Sequence, residues 1–209
     1  NLLLNQGVPK EKLISTAALR HTISTETQKP QKKNTKKILV LLSLSTEASA
    51  ETLMKIYSIN SLIISELKLK VKVKIHPMMK VENILKKVNW NKLPDGWEWA
   101  TENLDLELND SYCTISMFTA SIYDAVIKGN IAISLMSDLN LMDNYLDLFL
   151  DKYPLAKSVP EKDLSAILKD VFLGKAGFYQ EEFSNMRSEL IEGINAINSQ
   201  NLNAFIPKN

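Results

Sequence analysis

His76-Pro77 and Thr119-Ala-Ser121 each stand at the end of an apolar run and carry side chains suited to holding an anion. His76 closes Val71-Lys-Val-Lys-Ile75, and Pro77 both stops further strand pairing and holds the residue before it extended. An imidazole presented there suits a phosphate oxygen or a departing pyrophosphate. The alternative is a loop histidine with no partner. Thr119 and Ser121 follow Tyr112-Cys-Thr-Ile-Ser-Met-Phe118 and open Ile122-Tyr-Asp-Ala-Val-Ile-Lys128, which Gly129 stops. Ser121, with Asp124 three residues later, reads as a capping box that starts a helix directly after the strand. Two hydroxyls and the first free N–H groups then converge at the positive end of that helix, where a phosphate is stabilised. Plain helix capping would use the same residues. Ser43, Ser45, Thr46 and Ser49 place further hydroxyls after an earlier apolar strand, with Glu47 among them. Ser45, Thr46 and Glu47 are candidates for contact with a donor or acceptor, and capping is again the alternative.

Other chemistry finds less support. Cys113 is the single cysteine, which excludes an internal disulfide and a cysteine-only metal cage, and its apolar run marks a small buried hydrophobe. The two histidines, His21 and His76, are too few for an obvious zinc site, and no metal or cofactor is called for. The glycine-rich dinucleotide fingerprint and the P-loop are both missing, against a Rossmann dehydrogenase or an NTPase. Trp90, Trp97 and Trp99 could stack a base or sugar, although packing is the commoner use of such a cluster. A net charge of +1 supplies no global field for nucleic acid or an anionic membrane. No run approaches the roughly 20 apolar residues of a membrane span, and the first residues lack a signal-peptide pattern. With 45% hydrophobic and 23% charged residues the chain reads as a soluble globular protein of a reducing compartment.

The elements that must position these groups alternate regularly. Residues 24–37 are polar and lysine-rich and read as a linker. Ile38–Leu42, Val71–Ile75, Trp97–Thr101, Tyr112–Phe118 and Asn130–Leu135 read as strands. Helical patterns fall at 50–67, 81–88, 104–108 and 119–128. Strand and helix at this spacing predict an α/β fold: a doubly wound, mostly parallel, Rossmann-like sheet followed by C-terminal helices. Those helices are expected at 161–172 and 179–197, the latter with a stripe of Phe183, Met186, Leu190, Ile194 and Ile197. Residues 139–150 fit a short helix or a loop over the sheet. The expected organisation is 1–23 as the end of an upstream domain or a lead-in strand, 24–37 as linker, 38–178 as nucleotide-binding domain, and 179–209 as terminal helix and tail. The start at Asn1, with a helix end, a Gly-Pro turn and a short strand, suggests the C-terminal piece of a larger protein.

One stretch resists this scheme. Lys68, Lys70, Lys72 and Lys74 alternate with Leu69, Val71, Val73 and Ile75, the pattern of an edge strand or of one with a wet face. If that strand lies inside the sheet, the helix covering its lysine face must be short or displaced.

Taken in order, a Gly-Val-Pro-Lys-Glu-Lys turn and short strand, a linker, an apolar strand with a hydroxyl loop, a strand ending His-Pro, and Phe-Thr-Ala-Ser before a helix ending Lys-Gly form a familiar series. It resembles the C-terminal, donor-binding domain of GT-B glycosyltransferases of the bacterial surface-polysaccharide, sialyltransferase and capsule-polymerase types, over roughly residues 7–136. The resemblance implies a nucleotide sugar and a glycan acceptor as partners, an upstream N-terminal domain, and a cytoplasmic site of action extending to the inner face of the membrane. It also implies that His76, Thr119 and Ser121 contact the donor phosphate and that the catalytic base lies in the N-terminal domain. The chain departs from the pattern where Thr119-Ala120-Ser121 replaces two adjacent serines, and a glutamate common in the following helix is either replaced by Asp124 or absent.

Two further readings remain beside this one. The same alternation fits a non-catalytic α/β interaction module whose Leu- and Met-rich segment 135–150 and last helix pack on a partner. Sugar epimerisation on the same architecture shares the nucleotide site but needs paired carboxylates, which the sequence does not display. The last helix is expected to pack near residues 2–20 or against a second copy of the chain, because an isolated amphipathic helix gains little without a partner.

Overall fold

In a computed structural model, which describes residue 9 and residues 35–139, 150, 152–174 and 176–193, the apolar runs pair into one sheet. Its strands are β1 (Lys37–Leu41), β2 (Lys70–Lys74), β3 (Trp97–Trp99), β4 (Cys113–Ser116) and β5 (Ile131–Ser134). Every pairing is parallel and the order is β3-β2-β1-β4-β5. The helices are α1 (Thr46–Tyr57), α2 (Val81–Lys87), α3 (Leu104–Asp110), α4 (Ser121–Ile127), α5 (Glu161–Lys169) and α6 (Ala176–Gly193). This is an α/β, Rossmann-like fold with C-terminal helices, all-parallel among the described strands. Lys37, expected in the linker, is instead the first residue of β1.

The pattern at 50–67 expected one helix, and the chain forms two pieces. The α1 helix stops at Tyr57, and a π turn at Leu62–Glu66 follows. At the break the Ser58 hydroxyl donates to the Lys55 carbonyl at 2.8 Å.

Parallel register puts Ile38, Val40, Val71, Val73, Cys113, Ile115, Ile131 and Ile133 on one face of the sheet. Trp97 shares that face through its pairing with Val71, and its ring lies 6.5 Å from Tyr57, so this is the α1 side. Its indole N–H donates to Asn60 at 2.8 Å. Burial pushes the Cys113 thiol pKa up, as suits an inert hydrophobe.

The opposite face carries the lysines. β2 is internal, and its lysine side is covered by α3, a helix of seven residues. Lys72 meets Glu107 at 2.9 Å, Lys37 pairs with Asp110, and Lys74 donates to the Glu102 carbonyl. Glu107 is 1% exposed and also accepts the Glu102 N–H at 3.1 Å. The strand is thus no edge, and its lysine face is wet at Lys68 and Lys70 and covered by a short acidic helix at Lys72.

The last helix is used within the domain. α6 starts at Ala176, and Phe183, Met186 and Leu190 are buried as it packs against α4 and β5. Arg187 donates to the Ile127 carbonyl at 2.6 Å, and Tyr153 donates to Glu189 at 2.9 Å. The described part of the stripe, Phe183, Met186 and Leu190, packs against α4 and β5. Ile194, Ile197, residues 2–20 and residues 140–149 lie outside the described residues.

Candidate functional site

The strand order reverses at β1: the chain moves outward through β2 and β3, then returns to the other side of β1 for β4 and β5. A crevice forms at such a switch point outside the carboxyl ends of the strands, where ligands of open α/β sheets bind. Leu41 is level with Lys74 on one side and Ser116 on the other, so the loops leaving β1, β2 and β4 start side by side. With strands about 4.8 Å apart, the β2 and β4 ends flank β1 across roughly 10 Å. The structure thus brings the His76 turn, the Ser43–Ser45 loop and the Thr119–Ser121 turn to one edge.

His76 follows β2 in a tight turn, with its carbonyl accepting the Met79 N–H at 2.8 Å. Its Nδ1 accepts the Met78 N–H at 3.2 Å. A neutral imidazole held this way carries its proton on Nε2, the atom that could donate to an oxyanion. His76 is half-buried, as a residue at a sheet edge should be.

At the end of β4 the turn differs from the capping box expected of Ser121. Ser121 is the first residue of α4, and Ala120 holds the cap position in helical geometry with no side-chain cap bond. Thr119 supplies the local acceptors instead. Its Oγ1 takes the Ser121 N–H at 3.4 Å and its carbonyl takes the Ile122 N–H at 3.2 Å, while Ala120 accepts from Tyr123 at 3.1 Å. The first N–H groups of α4 are therefore engaged locally, by long bonds, rather than free. Just before this turn Phe118 sits at φ 53, a left-handed conformation that a bulky residue adopts only under constraint. Such outliers concentrate at functional turns, and nothing in the sequence announces this one because the position is not glycine.

The loop after β1 is organised as a helix cap. Ser45 is the N-cap of α1 and accepts the Ala48 N–H at 3.2 Å, while its hydroxyl donates to Glu47 at 3.3 Å. Ser43 accepts the Ser45 N–H at 3.2 Å, and Ser49 donates to the Ser43 carbonyl at 3.0 Å. Backbone hydrogen bonding, then Ser45, lowers the Glu47 pKa. Thr46 is the first residue of α1, half-buried at the same edge.

A second polar group at this edge escaped the sequence reading. Glu51 and Lys55 on α1 hold the segment leaving β5: Lys55 lies 3.0 Å from both Glu51 and Asp138 and donates to the Met136 carbonyl at 2.6 Å. Glu51 in turn accepts from Ser137 at 2.7 Å and from the Asp138 N–H at 2.6 Å. Burial pulls the Lys55 pKa down, but Asp138 and Glu51 more than offset it and the net shift is upward. The signal was the i,i+4 acid–base pair, which is common on solvated helix faces and did not by itself mark a tie.

No family model and no curated protein sequence matches the chain. Solved structures do. The UDP-GlcNAc 2-epimerase from Neisseria meningitidis bound to UDP-GlcNAc superposes with a TM-score of 0.56 at 12% identity, covering 91% of this chain and 57% of that one. The S. aureus MnaA–UDP structure gives 0.55 at 15% identity, over 87% of this chain and 50% of that one. An S. aureus TarM mutant in complex with Fondaparinux, alpha-GlcNAc-glycerol and UDP gives 0.54 at 14%, over 93% and 39%. The chain spans about half the length of these proteins. At such identities the likeness is one of fold: the chain is structurally similar to one half of GT-B-like proteins.

Proposed function

We propose that this chain is the nucleotide-sugar-binding half of a GT-B-like glycosyltransferase that builds bacterial surface polysaccharide in the cytoplasm or at the inner face of the membrane. The observation that carries the reading is the gathering of the His76, Ser45–Glu47 and Thr119–Ser121 turns at the carboxyl ends of three adjacent strands, where the strand order reverses. His76 Nε2–H and the Thr119 and Ser121 hydroxyls would donate to the phosphate oxygens as charge develops on the departing nucleotide, the step at which fixed donors contribute most. An acceptor hydroxyl would attack the sugar's anomeric carbon, losing its proton to a base from an upstream domain. UDP is the first nucleotide to try, since all three neighbours are described with UDP or a UDP-sugar.

Titration calorimetry with UDP, CDP, CMP and GDP tests the site. One nucleotide should bind the wild type, and His76→Ala, Thr119→Val and Ser121→Ala should each weaken it by roughly tenfold, about 1.4 kcal/mol. Equal weak affinity in all four proteins would remove the assignment and favour the interaction-module reading. The epimerase neighbour supports a second reading, a nucleotide-sugar epimerase half with the same phosphate contacts. The products separate the two: epimerisation inverts a carbon of the sugar and needs no acceptor, whereas transfer joins the sugar to an acceptor hydroxyl.

A further inference from the structure

The opposite edge of the sheet carries a cleft that the nucleotide reading does not use. It holds about 550 Å³ between the end of α1 and the segment joining α2 to β3. β1 is five residues long, so roughly 15 Å of strand separates the two edges. Tyr57 and Trp90 form an aromatic corner in it, with ring centroids 5.1 Å apart and planes 65° to one another. Trp97 backs the corner 6.1 Å from Trp90 and is itself held by Asn60. Tyr57 remains 42% exposed, so its ring is accessible.

The polar lining decides what such a corner takes. Asn60, Asn89 and Asn91 bring amides to the cleft, and Asn60, whose oxygen accepts from Trp97, keeps its NH2 as a donor. The charged lining residues, Lys92 and Asp95, pair with one another at 3.2 Å and cancel. The adjoining helix ends are the carboxyl ends of α1 and α2, where the backbone field opposes an anion. The lining therefore carries no net charge to select an anion. Rings set edge-to-face leave no parallel slot for a base between them. A pyranose suits the corner: its C–H face lies on an exposed ring while its hydroxyls, each donor and acceptor, meet planar amides.

We propose that this cleft binds an uncharged pyranose glycan, at a site separate from the nucleotide crevice. The inference stands on the cleft's own residues and does not depend on the proposed transferase function. The test is tryptophan fluorescence and titration of the full chain with chitotetraose, maltotetraose and cellotetraose as neutral probes, and with tetragalacturonate as the charged control. At least one neutral tetrasaccharide should bind, and Tyr57→Ala and Asn91→Ala should each weaken it by roughly tenfold. Asn91 is exposed, so that variant keeps the test open should Tyr57→Ala unfold. UDP affinity should be the same in both variants as in the wild type. The proposal is overturned if none of the neutral probes binds, if the charged one binds best, or if both folded variants bind as the wild type does.

Discussion

Under α1, the sheet presents Ile38, Val40, Val71, Val73, Cys113, Ile115, Ile131 and Ile133, none more than 3% exposed. On the opposite face, under α3, α4 and α6, the same strands present Lys72, Thr114, Ser116 and Ser134 alongside Leu39, Leu41 and Ala132. Both faces are covered, but they cohere differently. The first is held by removal of apolar surface from water, which has no direction. The second is held by particular pairs, Lys72 with Glu107 and Asn130 with Thr114 at 3.0 Å. The difference bears on register. A one-residue slip of β2 would turn its lysines into the apolar layer and leave Glu107 buried without a cation, so the polar face excludes alternatives that the apolar face alone would tolerate.

The largest test of this contrast lies on the apolar face. Ile115→Ala should cost about 4 kcal/mol, read from the guanidinium unfolding midpoint, since the lining of a close-packed core collapses only in part. A loss below about 1 kcal/mol would mean that this face is not the tightly packed one. On the polar face Lys72→Met should cost about 3 kcal/mol by leaving the Glu107 carboxylate uncompensated. Adding Glu107→Leu should return most of that loss, because an apolar pair can replace a buried ion pair at little cost. A double variant as unstable as the single one would show that packing, not charge, holds this face.

The smallest effect is the dependence on alkaline pH. Glu107 raises the Lys72 pKa, and Asp138 with Glu51 raises that of Lys55 against the pull of burial. The folded chain therefore holds these protons more tightly than the unfolded one, whose lysines titrate near ~10.4. The stabilisation is complete below that pH and is lost as pH rises through the folded values. Melting temperature should fall across this range, and less steeply in the Lys72→Met/Glu107→Leu protein. Parallel curves for the two proteins would detach Lys72 from the effect.

The fold was legible because punctuation and periodicity agreed at each strand: Ile38–Leu42 is a continuous apolar run, and Gly129 stops α4 where the pattern ended. The lysine alternation was readable only as a conditional, since sequence shows which face is polar but not what covers it; Glu107 and Asp110 lie more than thirty residues away from Lys72. The site was legible as positions and not as bonds. His76 and Thr119 fall where the strand ends placed them, whereas the cap position expected of Ser121 falls one residue earlier, on Ala120, after a left-handed Phe118. Trp90, Trp97 and Trp99 were recognisable as a cluster, but the exposed Tyr57 that completes the corner came from another helix and could be joined to them only in three dimensions.

The central strand reaches its two neighbours at different times. β2 can join β1 once a single crossover has formed, whereas Ile38 meets Cys113 only across a loop that contains β2, β3 and three helices. Closing that long loop is the slow, entropically costly event of assembly. The switch point between β1 and β4 does not exist until it is done. Any ligand that bridges β1 and β4 only in the folded chain would therefore stabilise this long-range seam and lower the population open to proteolysis.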